Sequence, residues 1–194
     1  KCNGSCHDAY YQAWKNSPHG KTFDLLKPGI REEAKVRAKL APKKDYTTTP
    51  LCLRCHTTGY GQKGGFKPAG AKKPTEIDPA EPNKEQVGCE MCHSVAGGGQ
   101  FRIVMKNTKG DFKKGDTEQY GQRWDYSNVC TRCHTHRNTP FQPTVHDKYK
   151  FNFEERKKKV HEVDITPERL QDLAVAPSSS LTTPERRALA KGSS

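Results

Sequence analysis

Apolar positions are sparse along this chain, and where they recur at helical spacing the runs are short. Tyr10, Tyr11 and Trp14 predict a first helix, stopped by Ser17-Pro18. After Pro28-Gly29, residues Ile30, Ala34, Ala38 and Ala41 share one helical face and predict a second helix, ended by Pro42. Residues 46–50 read as a loop. The run from Gly59 to Phe66 holds too many glycines for a helix and reads as a short extended piece. Residues 67–85, with their prolines and lysines, read as surface loop. Residues 96–99 read as a flexible turn, Phe101 to Met105 as a short apolar run, and 106–123 as polar loop. A late helix is predicted from Phe151, with Phe153, Val160 and His161 on one face. Thr166-Pro167-Glu168-Arg169 and Thr183-Pro184-Glu185-Arg186 are matching helix starts, with threonine as N-cap and proline at N1, separated by the linker Pro177-Ser178-Ser179-Ser180. Strands are scarce. The expected fold class is mainly α with much irregular chain, in two parts: a domain over 1–161 and a helical extension over 162–194.

Composition sharpens a conflict. Only 31% of the 194 residues are hydrophobic and 29% are charged, with 16 glycines and 13 prolines, which is a poor recipe for a core. No stretch approaches the ~20 apolar residues of a membrane span. The formal charge is +12, with basic clusters over 27–44 and 148–159. A nucleic acid is one conceivable partner for such a surface. A solvated lysine face that serves solubility is another reading of any single cluster.

The eight cysteines resolve the conflict. They fall into four signatures: Cys2-Asn3-Gly4-Ser5-Cys6-His7, Cys52-Leu53-Arg54-Cys55-His56, Cys89-Glu90-Met91-Cys92-His93 and Cys130-Thr131-Arg132-Cys133-His134. The last three are C-x-x-C-H, the signature of covalent c-type haem attachment; the first has one residue more, with Gly4 and Ser5 available to bulge. On a helical turn, cysteines three apart reach the two vinyl groups of one haem, and the adjoining histidine faces the iron. Zinc ribbons also use C-x-x-C pairs, but zinc does not need a histidine directly after each pair. The expected cofactors are therefore four haem c, with His7, His56, His93 and His134 as proximal ligands, and the core is then largely haem wrapped in peptide. The thiols are spent as thioethers rather than disulfides. Four histidines remain for the distal faces: His19, His136, His146 and His161. The haems also imply a periplasmic or otherwise exported chain whose leader has been removed. They make an acidic redox protein a better partner than nucleic acid, since charge complementarity speeds a short-lived encounter.

The chain resembles the tetrahaem cytochrome c-554 family of ammonia-oxidising bacteria. The likeness lies in Cys6-His7…Trp14…His19, in Ala38-Lys39-Leu40…Lys44-Asp45-Tyr46, in Gly59 to Phe66, in Val87-Gly88-Cys89-Glu90, in Thr139-Pro140-Phe141…Pro143…Val145, and in Lys148-Tyr149…Phe151…Phe153. The resemblance implies that His19 ligates haem 4 and His161 haem 3. It implies that haem 2, on His56, lacks a distal protein ligand and opens near Thr139, Pro140 and Phe141. It implies electron transfer from a hydroxylamine oxidoreductase-like multihaem enzyme to a downstream acceptor, and nitric oxide chemistry at the open haem. Two departures stand out. Where the family has a histidine that ligates haem 1, this chain has Met105, since it reads Phe101-Arg102-Ile103-Val104-Met105. The other methionine, Met91, lies inside the third signature. His7/Met105 ligation of haem 1 is expected, a soft thioether favouring ferrous iron; the alternative is that Met105 only packs. The link from the fourth signature to Thr139 is also shorter, and carries His136 with His146 beyond it; either could close haem 2. The leading function is electron transfer; the rival is an enzyme acting on a small nitrogen compound at haem 2.

Overall fold

The structure is a computed structural model, which describes residues 7–71, 84–95 and 97–160. Those residues form short helices joined by turns, with no strand among them. Helix α1 (Asp8–Asn16) ends where expected, its Ser17 cap donating to Trp14 O. Two single 3-10 turns follow, His19–Lys21 and Phe23–Leu26. Helix α2 (Glu32–Arg37) is shorter than its apolar spacing predicts. Lys39 adopts a left-handed φ of 56°, and Leu40 N–H closes back onto Lys35 O, so the chain turns four residues before Ala41.

Helix α3 (Pro50–His56) starts on a proline at its first turn. The glycine-rich run after it is not extended. Gln62 N–H bonds Gly59 O, Gly65 N–H bonds Gln62 O, and Phe66 N–H returns to Thr58 O at 2.8 Å. Gly59, Gly61 and Gly64 carry positive φ, and a Cβ on Gly65 would fall 1.7 Å from Gly59 O. The glycines thus close a loop that delivers Phe66 to the core. Helix α4 (Cys89–His93) is one turn long. Helix α5 (Gly98–Asn107) includes two of the glycines expected to form a flexible turn; Phe101, 6% exposed, anchors its first turn. The expected loop over 106–123 contains a further turn, α6 (Lys114–Glu118), whose Asp116 accepts from Lys113 N–H at 2.8 Å. Helix α7 (Tyr126–His134) is capped by Asp125, which accepts from Asn128 N–H, and α8 (Phe153–Val160) follows. His136 lies past the end of α7. The helix starts expected at Thr166 and Thr183 lie outside the described residues.

The apolar core is small. Phe23, Leu26, Tyr46, Leu53 and Phe66 form one buried cluster, flanked by Leu40, Cys52 and Tyr60. Leu51, Ile103 and Val36 are at least half exposed, at 50%, 55% and 60%. The peptide on its own buries little of what apolar surface it has.

Candidate haem-binding site

Helices α3, α4 and α7 share one design. Each carries two cysteines three residues apart, and each ends on the histidine that follows. The caps Thr57, Ser94 and Thr135 leave the α-helical conformation at once. Both sulfurs and the imidazole therefore lie along one face at the last turn. None of the six described cysteines is in a disulfide.

Helix α7 touches both α3 and α4. The thiols of Cys55 and Cys133 share a hydrogen bond, which pulls Cys55 down to about 7 and pushes Cys133 up. Burial, and then the nearby Cys130, push Cys92 up to about 11. Burial also raises Cys52 and Cys130. Of the fourth signature, Cys133 thus adjoins both the second and the third signatures, and Cys130 adjoins the third.

Burial favours the neutral ring at three histidines, His19, His56 and His134. Burial lowers His56, partly offset by Thr22 O, which accepts from its Nδ1–H at 2.8 Å. That bond leaves the Nε2 lone pair for a metal. Burial lowers His19 as well. His134 is exposed as a residue, yet its ring lies flat against Phe151 at 4.4 Å. Burial of that ring, then the charges of His19 and Arg156, push it down to about 4. The rings of His19 and His134 are 6.0 Å apart, centre to centre. That is about the separation of two imidazoles sharing one metal ion through bonds of about 2 Å. Around His93, Gln122 Nε2 lies 2.9 Å and the Tyr126 hydroxyl 3.4 Å from Nδ1.

A hydrogen-bonded knot that the sequence did not suggest ties these elements together. The Thr22 hydroxyl faces His56 O at 2.9 Å and His19 O at 3.1 Å, and accepts from Val87 N–H at 3.0 Å. Gln86 Oε1 accepts from Phe23 N–H at 2.7 Å. The Thr58 hydroxyl donates to Gln86 O and accepts from Gly88 N–H, while Trp14 Nε1–H donates to Val87 O at 2.8 Å. The segment entering α4 is therefore fixed by residues of α1, the 3-10 turns and the end of α3. Thr22, Thr58 and Gln86 carry no periodicity or spacing that would mark them.

The remaining expected site residues lie as follows. Thr139, Pro140 and Phe141 are half-buried in a turn, and the Phe141 ring meets Tyr149 edge-on at 5.3 Å. His136 Nδ1 accepts from Asn138 N–H and His146 Nδ1 from Lys148 N–H, each at 3.1 Å. His7 is exposed beside Tyr10, and Met105 is half-buried on α5. Cys2, Cys6 and His161 lie outside the described residues.

The donor set fits covalent haem. Among the described residues no three His, Cys, Asp or Glu side chains converge on one point as a zinc site requires. Two buried donors, Trp124 Nε1–H and Tyr149 O–H, have no acceptor among the described residues; the carboxylates of a bound haem would accept such hydrogen bonds.

The comparisons agree. The family model for cytochrome c554 and c-prime matches residues 1–94. Cytochrome c-554 of Nitrosomonas europaea is 36% identical over 178 residues, covering 82% of this chain and 71% of that protein. This chain belongs to the cytochrome c-554 family. The structure of reduced cytochrome c554 from the same organism superposes with a TM-score of 0.68, covering 82% of this chain and 80% of that one. As a c-554 family protein, the chain is a c-type cytochrome that carries electrons and binds four haem c. No helix among its described residues is long and apolar enough to cross a membrane.

Proposed function

We propose that this c-554 protein works in an exported compartment, taking electrons from an acidic, hydroxylamine oxidoreductase-like multihaem enzyme and passing them to a downstream acceptor. Bound haem supplies the one-electron iron couple. The chain's own part is to hold the attachment points close together and the imidazoles neutral. The observation that carries this reading is the position of α7, whose Cys133 meets Cys55 of α3 while its Cys130 adjoins Cys92 of α4. The net charge of +12 suits an acidic donor. Reduction by such a donor should be second-order and should slow steeply as salt is added. A rate indifferent to ionic strength would remove the acidic partner.

The ligand set proposed is His7 with Met105 at haem 1, His56 alone at haem 2, His93 with His161 at haem 3, and His134 with His19 at haem 4. The 6.0 Å spacing of His19 and His134 supports the last pair. The local bonds to Nδ1 of His136 and His146 support an open haem 2, because a ring whose Nδ1 accepts keeps its proton on Nε2. An open haem also keeps alive the second reading, chemistry on a small nitrogen compound such as nitric oxide near Thr139, Pro140 and Phe141. One set of spectra tests both. Carbon monoxide should bind a minority of the ferrous haems, and the ferric protein should show a methionine–iron charge-transfer band that Met105→Leu abolishes. Four six-coordinate haems inert to carbon monoxide would close haem 2, and absence of the band would return Met105 to packing.

A further inference from the structure

The proximal histidines of α3 and α4 are not held alike. His56 gives its Nδ1–H to a backbone carbonyl, Thr22 O. His93 instead faces two side chains, Gln122 at 2.9 Å and Tyr126 at 3.4 Å, with the Tyr126 ring standing edge-on to it at 5.6 Å. The segment that supplies them is pressed against the end of α4. Ser94, just after His93, has a φ of 152°, in a region that favours glycine, and its hydroxyl donates to Tyr120 O at 3.2 Å. Gly121 comes so close that a Cβ there would lie 2.8 Å from Ser94 Oγ; its φ of +85° is itself one that favours glycine. A strained Ser94 on one side of the contact, and a glycine free to take a positive φ on the other, bring Gln122 to His93.

The amide of Gln122 has its Nε2 toward His93, Tyr126 O–H at 3.0 Å and Arg123 O at 3.2 Å. Oxygen and nitrogen of an amide are told apart only by such partners. An imidazole that offers Nε2 to iron must carry its proton on Nδ1 and therefore needs an acceptor there. Turned over, Gln122 presents Oε1, which accepts from both Nδ1–H and the Tyr126 hydroxyl. The cost falls at Arg123 O, which then faces another acceptor and must shift away.

We propose that Gln122 and Tyr126 are positioning residues for haem 3: they fix the His93 ring and, by accepting its Nδ1 proton, set how tightly the iron holds its electron. This rests on His93 being the proximal ligand of haem 3. An acceptor on Nδ1–H makes the imidazole a stronger donor and favours ferric iron. Side chains carry this bond at haem 3, so substitution can tune it; the carbonyl at His56 leaves no such freedom.

The test is a redox titration of the four-haem protein followed by electron paramagnetic resonance. Gln122→Leu removes the acceptor and should raise the reduction constant of one haem about tenfold, which is about 59 mV for one electron. Gln122→Glu supplies a stronger acceptor and should shift the same haem by a similar amount in the opposite direction. Tyr126→Phe should give a smaller shift with the sign of the leucine variant. A merely structural role would move Leu and Glu variants the same way, and that result, or no shift in either, overturns the tuning. His93→Gly separates the two failures. Loss of one low-spin signal, restored by added imidazole, or maturation with three haems by mass, keeps the site reading whatever the Gln122 variants do. An unchanged low-spin spectrum in His93→Gly removes the site reading and the tuning together.

Discussion

The ends of α3 and α4 solve the same problem with different parts. At α3 the histidine is locked by main chain: Thr22 O takes the His56 Nδ1 proton, and the Thr22 hydroxyl meets His56 O. The surrounding cluster of Phe23, Leu26, Tyr46, Leu53 and Phe66 is buried, Leu53 fully. At α4 the histidine is met by Gln122 and Tyr126, 29 and 33 residues further along the chain, across a strained Ser94. A backbone bond can be lost only by unfolding the backbone around it. A side-chain bond can be changed one residue at a time. The first arrangement secures a histidine; the second leaves its electronics open to substitution.

Acid should weaken the hold on the buried histidines, His56 of the first arrangement among them. His19, His56 and His134 all have folded pKa values below the ordinary 6.5, the last at about 4. Above pH 6.5 both folded and unfolded rings are neutral, and stability does not depend on them. Below it the unfolded rings take up protons first, so stability falls as pH drops from 6.5 through about 4. Iron held on Nε2 would compete with the proton and work in the same direction. Low-spin absorbance and denaturant midpoint followed together over this range should decline together; a flat profile down to pH 4 would contradict the burial of these rings.

A smaller effect separates main-chain from side-chain support. Thr22→Val keeps the shape but removes the hydroxyl shared by His56 O, His19 O and Val87 N–H. Buried backbone groups left without partners cost about 2–3 kcal/mol together. The denaturant midpoint should fall accordingly, while the Thr22 carbonyl still holds the His56 ring and the potential of that haem barely moves. The Gln122 variants should show the reverse pattern, a shifted potential with little loss of stability. If Thr22→Val moved a potential as far as Gln122→Leu, the contrast between the two helix ends would be false.

The legible part of this molecule was the part written in short spacing. Cysteines three apart with a histidine next door define a helical turn locally, and α3, α4 and α7 each end on that histidine. The stop of α1 at Ser17-Pro18 was equally local. Periodicity misled where the backbone turned for reasons outside the pattern. Helix α2 ends early because Lys39 goes left-handed and Leu40 closes onto Lys35. The glycines of α5 are helical because Phe101 buries the first turn, which outweighs their low propensity. The glycines after α3 close a loop because Gly65 lies against Gly59 O, a contact no composition reveals.

By itself the sequence pointed to the chemistry: four haem c, and the cysteine pairs with adjoining histidines expected to hold them, are read from residues within one helical turn of one another. Only the tertiary structure decided what surrounds each histidine. His19 meets His134 across 115 residues of chain, Thr22 meets His56 and Val87, and Gln122 meets His93. Such contacts join groups distant along the chain, and a hydroxyl or an amide carries no mark of the partner it will find until the fold brings that partner within about 3 Å.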